Sequence, residues 1–160
     1  MTGWQDDKKW SDTFLPEIKR HLGEHLIGEP PVEEDQKRNT DLIVLKMDAV
    51  RIGCRIRRDQ YISYKSEFTI RASRPNGTKT ELEKIVEGWG DYFFYGFASD
   101  HGLVGWVLLS LNTFRLRYHD MVKTDNKQWV TKDNVDGSSG FYVFKWSDFR
   151  DGVVAYGGFS

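Results

Sequence analysis

The chain has 160 residues, of which 39% are hydrophobic and 14% aromatic, and this composition is typical of one folded domain rather than a disordered segment. Lysine and arginine total 23 against 24 aspartate and glutamate residues, so the net charge of −1 excludes a global attraction to phosphate. The single cysteine, Cys54, excludes an intrachain disulfide and a zinc site built from several cysteines. We therefore expect a single domain over residues 1–160, located in the reducing cytoplasm.

Apolar segments in the sequence are short. None approaches the roughly 20 consecutive apolar residues of a membrane span, and the charged N-terminus lacks the apolar core of a signal peptide. We therefore expect no association with a membrane.

The first half of the chain predicts one helix and a hairpin. Apolar residues recur at helical spacing over about 13–26, and Pro30 and Pro31 end that pattern. An apolar run over 42–47 is followed by a segment in which Ile52, Cys54 and Ile56 alternate with arginines. This pattern predicts a hairpin that turns at residues 48–49, with one buried face that contains Cys54 and one arginine face.

The second half predicts further strands around a second helix. A strand over 67–71 leads into turn-forming residues, and Thr80 with Glu83 forms a capping box for a helix that ends at Gly88 or Gly90. Aromatic and apolar runs predict strands at 92–97, 106–111 and 141–144, with a short helix capped by Asn112 and a last edge strand at 153–154. Residues 120–140 are polar and predict a long hairpin or an exposed excursion. The fold class is therefore mixed α/β (α+β), with a central mixed sheet of five or six strands flanked by helices and a C-terminal β extension.

The segment EEDQKRNTDLIVL, followed by VRIGCRIRR, is similar to the region in which PD-(D/E)XK nucleases place a metal-binding aspartate and then an acid-x-lysine pair. The order of helix, antiparallel strands, helix and strand also resembles that superfamily, which includes restriction enzymes, phage exonucleases and Holliday junction resolvases. The resemblance covers about residues 13–98 and leaves 99–160 as the extension. It implies a restriction-endonuclease-like core and metal-dependent hydrolysis of DNA, in a bacterial cell or a phage-infected host. By analogy with junction enzymes, it also implies a homodimer.

The resemblance assigns metal ligands to the acidic segment. Asp41 precedes the apolar strand and would bind Mg²⁺ or Mn²⁺, with Asp35 or Glu34 completing the carboxylate shell. Glu33 lies on the same approach loop. Glu17, on the first helix, matches an acid that some members of the superfamily place there.

The second strand departs from the superfamily pattern. The expected acid is missing and arginine stands in place of lysine, so Glu67 on the next strand becomes the replacement acid. The catalytic set is then Asp41, Arg55, Arg57 and Glu67. The expected DNA-binding residues are Arg51, Arg55, Arg57, Arg58, Arg71 and Arg74.

Each of these signals has a structural alternative. Asp41 is also suited to a turn before a strand, and the arginine face is also suited to a solvated sheet surface paired with Glu67, Glu81 or Glu83. His21 and His25 lie one helical turn apart, but no third zinc ligand follows them. The alternative function is a non-catalytic phage accessory or inhibitor protein that binds nucleic acid or a protein partner on the same scaffold. Regulatory binding of a protein through exposed aromatic residues such as Trp4, Trp10 and Trp129 is a third possibility.

Overall fold

The computed structural model describes residues 3–28, 43–44, 50–75, 77–135, 137 and 139–159. The chain divides into two compact units, Met1–Ala49 and Val50–Ser160. The proposed metal ligands Asp41, Asp35 and Glu34 lie outside the described residues, as do Glu33 and the turn expected at 48–49. No helix in the described parts of the chain is long and apolar enough to cross a membrane.

The described residues of the first unit form two helices and one pair of very short strands. Its elements are α1 (Gly3–Asp12), α2 (Leu15–Leu26), β1 (Ile27–Gly28) and β2 (Ile43–Val44). Helix α2 confirms the helix predicted over 13–26. Ile18 within it and Phe14 immediately before it are both buried. Helix α1 was not predicted, because its residues carry many charges and few apolar positions.

The second unit has seven strands and two α-helices among its described residues. They are β3 (Ile52–Arg58), β4 (Glu67–Ser73), α3 (Glu81–Val86), β5 (Tyr92–Ser99), β6 (Gly102–Ser110), α4 (Leu111–Lys123), β7 (Val130–Asp133), β8 (Gly140–Lys145) and β9 (Val153–Gly157). A 3₁₀ helix, Asp59–Tyr64, connects β3 to β4.

These seven strands form two sheets, which confirms the mixed α+β class. The order of the first sheet is β3-β5-β6-β9, with β3 parallel to β5 and the other neighbours antiparallel. The second sheet is antiparallel, in the order β4-β8-β7. The prediction of one central sheet was wrong in this respect, because β4 pairs with β8 from far along the chain instead of with β3. Strands β8 and β9, predicted as part of an extension, belong to these two sheets.

The expected hairpin between 42–47 and 50–57 is not formed by the described residues. Ile43 and Val44 pair with β1, whereas β3 pairs with β5. The predicted faces of β3 were also wrong, since Cys54 is exposed and Arg55 and Arg57 are half-buried. Alternation assigns residues to two faces but does not say which face another layer of structure will cover.

Local capping signals define both helices of this unit. The Thr80 side chain accepts a hydrogen bond from the Glu83 amide at 3.2 Å, as the capping box predicts. Helix α3 is followed by Gly88, whose φ of 102° is the left-handed conformation that ends helices. Helix α4 is longer than predicted, and its cap is Ser110 rather than Asn112.

Both sheets and both helices contribute to one aromatic core. Phe68 of β4 is fully buried, and its ring stacks on Phe144 with centroids 5.3 Å apart. The same ring contacts Trp146 at 4.2 Å and lies edge-on to Tyr95 of the other sheet at 6.4 Å. Phe68 therefore joins the inner faces of the two sheets.

We expect Phe68→Ala to lower the free energy of unfolding by about 3–5 kcal/mol, because the substitution leaves a cavity that the surrounding rings cannot fill. The control is Leu116→Ala, since Leu116 is 73% exposed. It should change stability by no more than about 0.5 kcal/mol. Urea denaturation of the three proteins measures both effects, and an equal loss in the two variants would contradict the assignment of Phe68 to the core.

Candidate functional site

A cleft of about 520 Å³ lies beside the half-buried side of β3. Strands β3, β4, β7 and β8 and the end of the 3₁₀ helix provide its walls. Its charged residues are Arg55, Arg57, Arg71, Lys132, Glu67 and Asp133. We call it the arginine cleft, and its lining carries four cationic side chains and two carboxylates.

Arg55 is held by hydrogen bonds from its guanidinium group. One nitrogen, Nη1, donates to the Thr69 carbonyl of β4 at 3.0 Å, and Nη2 donates to Glu81 Oε1 at 2.8 Å. The Arg55 and Glu81 side chains are only 21% and 30% exposed, so water screens this ion pair less than it screens a surface pair. Arg55 is therefore a fixed part of the cleft wall.

Arg57 is held by aromatic rings. Its Cζ atom lies 4.8 Å from the ring centroid of Tyr61 and 5.7 Å from that of Tyr64, and both tyrosines are exposed. No carboxylate of the described residues lies within ion-pair distance of the Arg57 guanidinium group. Its Nη1 donates one long hydrogen bond, of 3.5 Å, to the Tyr95 hydroxyl. The charge of Arg57 is thus oriented by π faces and remains available to an anion.

The Arg71 guanidinium group has one nitrogen without a hydrogen-bond partner among the described residues. This nitrogen, Nε, is buried. Burial, together with the nearby charges of Arg55 and Arg74, lowers the pKa of Arg71, while Glu81 partly opposes this effect. Glu81 accepts a hydrogen bond from the backbone N–H of Arg71 at 3.0 Å. An anion in the cleft would place negative charge beside this guanidinium group.

The structure brings together four of the residues predicted from sequence. Arg55, Arg57, Glu67 and Arg71 all line the arginine cleft, although β3 and β4 belong to different sheets. Arg51, Arg58 and Arg74 do not line it. Glu17, on α2 in the other unit, lies 3.9 Å from Arg20, one turn along the same helix.

Two further residues, Lys132 and Glu81, shape the cleft. Lys132 was not singled out from sequence, and Glu81 was named only in the structural alternative, as a partner of the arginine face. Lys132 lies 5.5 Å from the Tyr64 ring centroid, and Glu81 positions two of the arginines. The Thr80 cap places Glu81 in the first turn of α3, so the capping box was the available signal for that residue. Nothing local in the sequence connects Lys132 to β3, because β7 reaches the cleft through its pairing with β8.

The described residues contain no group of three or more histidine, cysteine, aspartate or glutamate side chains arranged to hold a metal ion. Glu67 is the only one of the predicted catalytic acids that the structure describes. The predicted Mg²⁺ or Mn²⁺ site at Asp41, Asp35 and Glu34 therefore remains a prediction.

We expect Arg71→Met to raise the free energy of unfolding by about 1 kcal/mol, at the lower end of the penalty for an unsatisfied buried donor. Methionine keeps much of the aliphatic packing and removes the desolvated charge. The matched control is Arg150→Met, because Arg150 is exposed and is not among the charges that shift the pKa of Arg71. It should leave stability nearly unchanged. Thermal melts in low-phosphate buffer measure this difference, and a lower melting temperature for Arg71→Met would show that the guanidinium group stabilises the fold.

Comparison of the chain with protein-family models, curated proteins and solved structures gives no match. The resemblance to PD-(D/E)XK nucleases therefore stays a prediction from the sequence, and the geometry of the arginine cleft carries the functional argument.

Proposed function

We propose that the unit Val50–Ser160 is a nucleic-acid-binding domain that holds phosphate groups in the arginine cleft. The observation that carries this proposal is the pair of under-neutralised guanidinium groups, Arg57 and Arg71, in a cleft that also exposes a Lys132 amine and a Tyr64 ring. Guanidinium groups bind phosphate through two parallel hydrogen bonds. The attraction between the two charges is strongest where water is partly excluded.

The distribution of charge supports a polyanion as the ligand. The cations of the cleft come from β3, β4 and β7 and form two pairs. Arg55 and Arg71 lie against the Phe141 ring, and Arg57 and Lys132 lie against the Tyr64 ring. A chain of phosphates can contact several of them at once, and the exposed tyrosines offer π faces to bases. The net charge of the protein is −1, so this cleft is a local concentration of positive charge and not a consequence of composition.

We expect the affinity for nucleic acid to fall as the salt concentration rises. The slope of log affinity against log salt concentration should become shallower when cations of the cleft are removed. The test compares the wild type with the double variant Arg57→Ala plus Lys132→Ala by fluorescence anisotropy of labelled DNA in EDTA. Each lost phosphate contact should reduce the slope of log affinity against log salt by about 0.7 for single strands or about 0.9 for duplex.

The matched control is Lys84→Ala plus Lys123→Ala, which removes two exposed cations that lie outside the cleft. Equal effects in the two double variants would mean that binding is non-specific. A wild type that binds no DNA or RNA would overturn the proposal and turn attention to a protein partner with acidic residues.

Metal-dependent hydrolysis of DNA is a second candidate function, and the position of Glu67 favours it. Its half-buried carboxylate lines the same cleft as Arg55 and Arg57, which is the combination of acid and cations that phosphodiester cleavage uses. In this function Glu67 is the acid of the cleft and the arginines bind the scissile phosphate. The sequence resemblance separately implies that Asp41 is a metal ligand.

We expect wild-type cleavage of labelled duplex, single-stranded or four-way-junction DNA in Mg²⁺ or Mn²⁺, and none in EDTA. Asp41→Ala and Glu67→Gln should each abolish cutting. Glu67→Gln should nevertheless bind DNA at least as tightly as the wild type in EDTA, because it removes a negative charge beside the arginines. Binding without cutting by the wild type would leave the non-catalytic function and exclude the nuclease.

A further inference from the structure

A second groove adjoins the arginine cleft. It has a volume of about 860 Å³, and its lining includes three exposed cations, Lys65, Lys145 and Arg150. None of these three forms an ion pair with a carboxylate of the described residues. Aromatic and apolar side chains, among them Trp146 and Tyr156, also line it, together with Glu67 and two serines. We call it the lysine groove.

The two depressions meet at the start of β4. Glu67 lines both of them, and the consecutive residues Tyr64 and Lys65 line one each. Glu67 is also the register partner of Lys145 on the neighbouring strand β8. The arginine cleft and the lysine groove therefore lie next to each other and share the Glu67 side of their walls.

This combined surface is strongly positive and rich in aromatic rings. Seven cationic side chains line it, four in the cleft and three in the groove, against the carboxylates of Glu67 and Asp133. Tyr64 and Tyr156 are 43% and 69% exposed. Exposed rings interleaved with cations are the pattern by which proteins bind single strands, because phosphates contact the cations while bases stack on the rings.

We infer that the arginine cleft and the lysine groove form one binding track for single-stranded nucleic acid. This inference rests on the proposed function and extends it, since it names the form of the ligand and a second set of contacts. A duplex keeps its bases stacked on each other and would gain nothing from Tyr156 or Trp146. A single strand presents unstacked bases, and its phosphates can lie on either side of the Glu67 carboxylate, which repels them.

The first experiment varies the length of the strand. Oligothymidylates of about 4 nucleotides should occupy the arginine cleft alone, whereas strands of about 12 nucleotides should reach both parts, within the site sizes known for single-strand binders. The variant is Lys65→Ala plus Lys145→Ala plus Arg150→Ala. It should lower the affinity for the long strand to that for the short strand and leave binding of the short strand unchanged.

The matched control is Lys84→Ala plus Lys123→Ala plus Lys127→Ala, which removes three exposed cations that line neither part of the track. We expect it to bind both strands like the wild type. We call the triple variant at Lys65, Lys145 and Arg150 the track variant. With the long strand, its slope of log affinity against log salt concentration should be shallower than that of the wild type by about 2, since each of three lost phosphate contacts removes about 0.7.

The second experiment tests stacking on Tyr156. Tyr156→Ala should weaken binding of the long oligothymidylate about 5-fold or more, whereas Tyr156→Phe should preserve it, because phenylalanine keeps the ring. An abasic strand of equal length and charge should bind the wild type more weakly and should not distinguish the variants. Tyr156 is on the outer strand β9 and is exposed, so the substitution does not disturb the core.

The outcomes separate the two proposals. If short and long strands bind equally, or if the track variant behaves like its control, the track is wrong while the arginine cleft stands. Duplex that binds as tightly as the single strand of equal length would also overturn the track. If the wild type binds neither strand and binds polyglutamate instead, the ligand is an acidic peptide and both proposals fail.

Discussion

One carboxylate oxygen holds the two sheets of the second unit together at the cleft. Glu81 Oε1 accepts hydrogen bonds from the guanidinium group of Arg55 on one sheet and from the backbone of Arg71 on the other. Strands β3 and β4 share no backbone ladder, so this side-chain contact and the bond from Arg55 to Thr69 take its place. The contact is only partly exposed, and it fixes two of the cleft arginines relative to each other.

This arrangement has an electrostatic consequence. A single carboxylate cannot neutralise every guanidinium group nearby, and its acceptor atom is already occupied by two donors. The excess positive charge faces the cleft, where neighbouring protein reduces screening by water. Aromatic rings around Arg57 hold its charge in place without cancelling it. The fold thus tolerates local repulsion that an anion would relieve, and such tolerance is common at functional sites.

The sequence predicted local structure well and pairing poorly. Alternation identified β4 through Phe68 and Ile70, and the capping signals at Thr80 and Gly88 located α3. These features depend on neighbouring residues, which a sequence displays directly. The parallel pairing of β3 with β5 joins residues about 40 positions apart. The spacing of apolar residues within one segment does not identify which other segment will pair with it.

The candidate site shows the same division. The alternation of side chains along β3 correctly placed Arg55 and Arg57 on one face of the strand. It could not show that this face lies against a second sheet. Arg71 was predicted as one basic residue among several, and only the structure shows that its Nε is buried without an acceptor among the described residues. The lysine groove combines β8, β9 and the start of β4, so no single segment of the sequence could have revealed it. The acidic segment around Asp41 lies outside the described residues, and its role rests on resemblance alone.

Cys54 has a practical consequence for studying the cleft. It is the sole thiol of the chain, it is exposed, and it immediately precedes Arg55 on β3. Successive side chains on a strand point to opposite faces, so the sulfur projects away from the arginines. A fluorophore attached there would sit one residue from the binding wall without obstructing it. The protein thus carries a natural attachment point for following, in real time, how fast the cleft fills and empties.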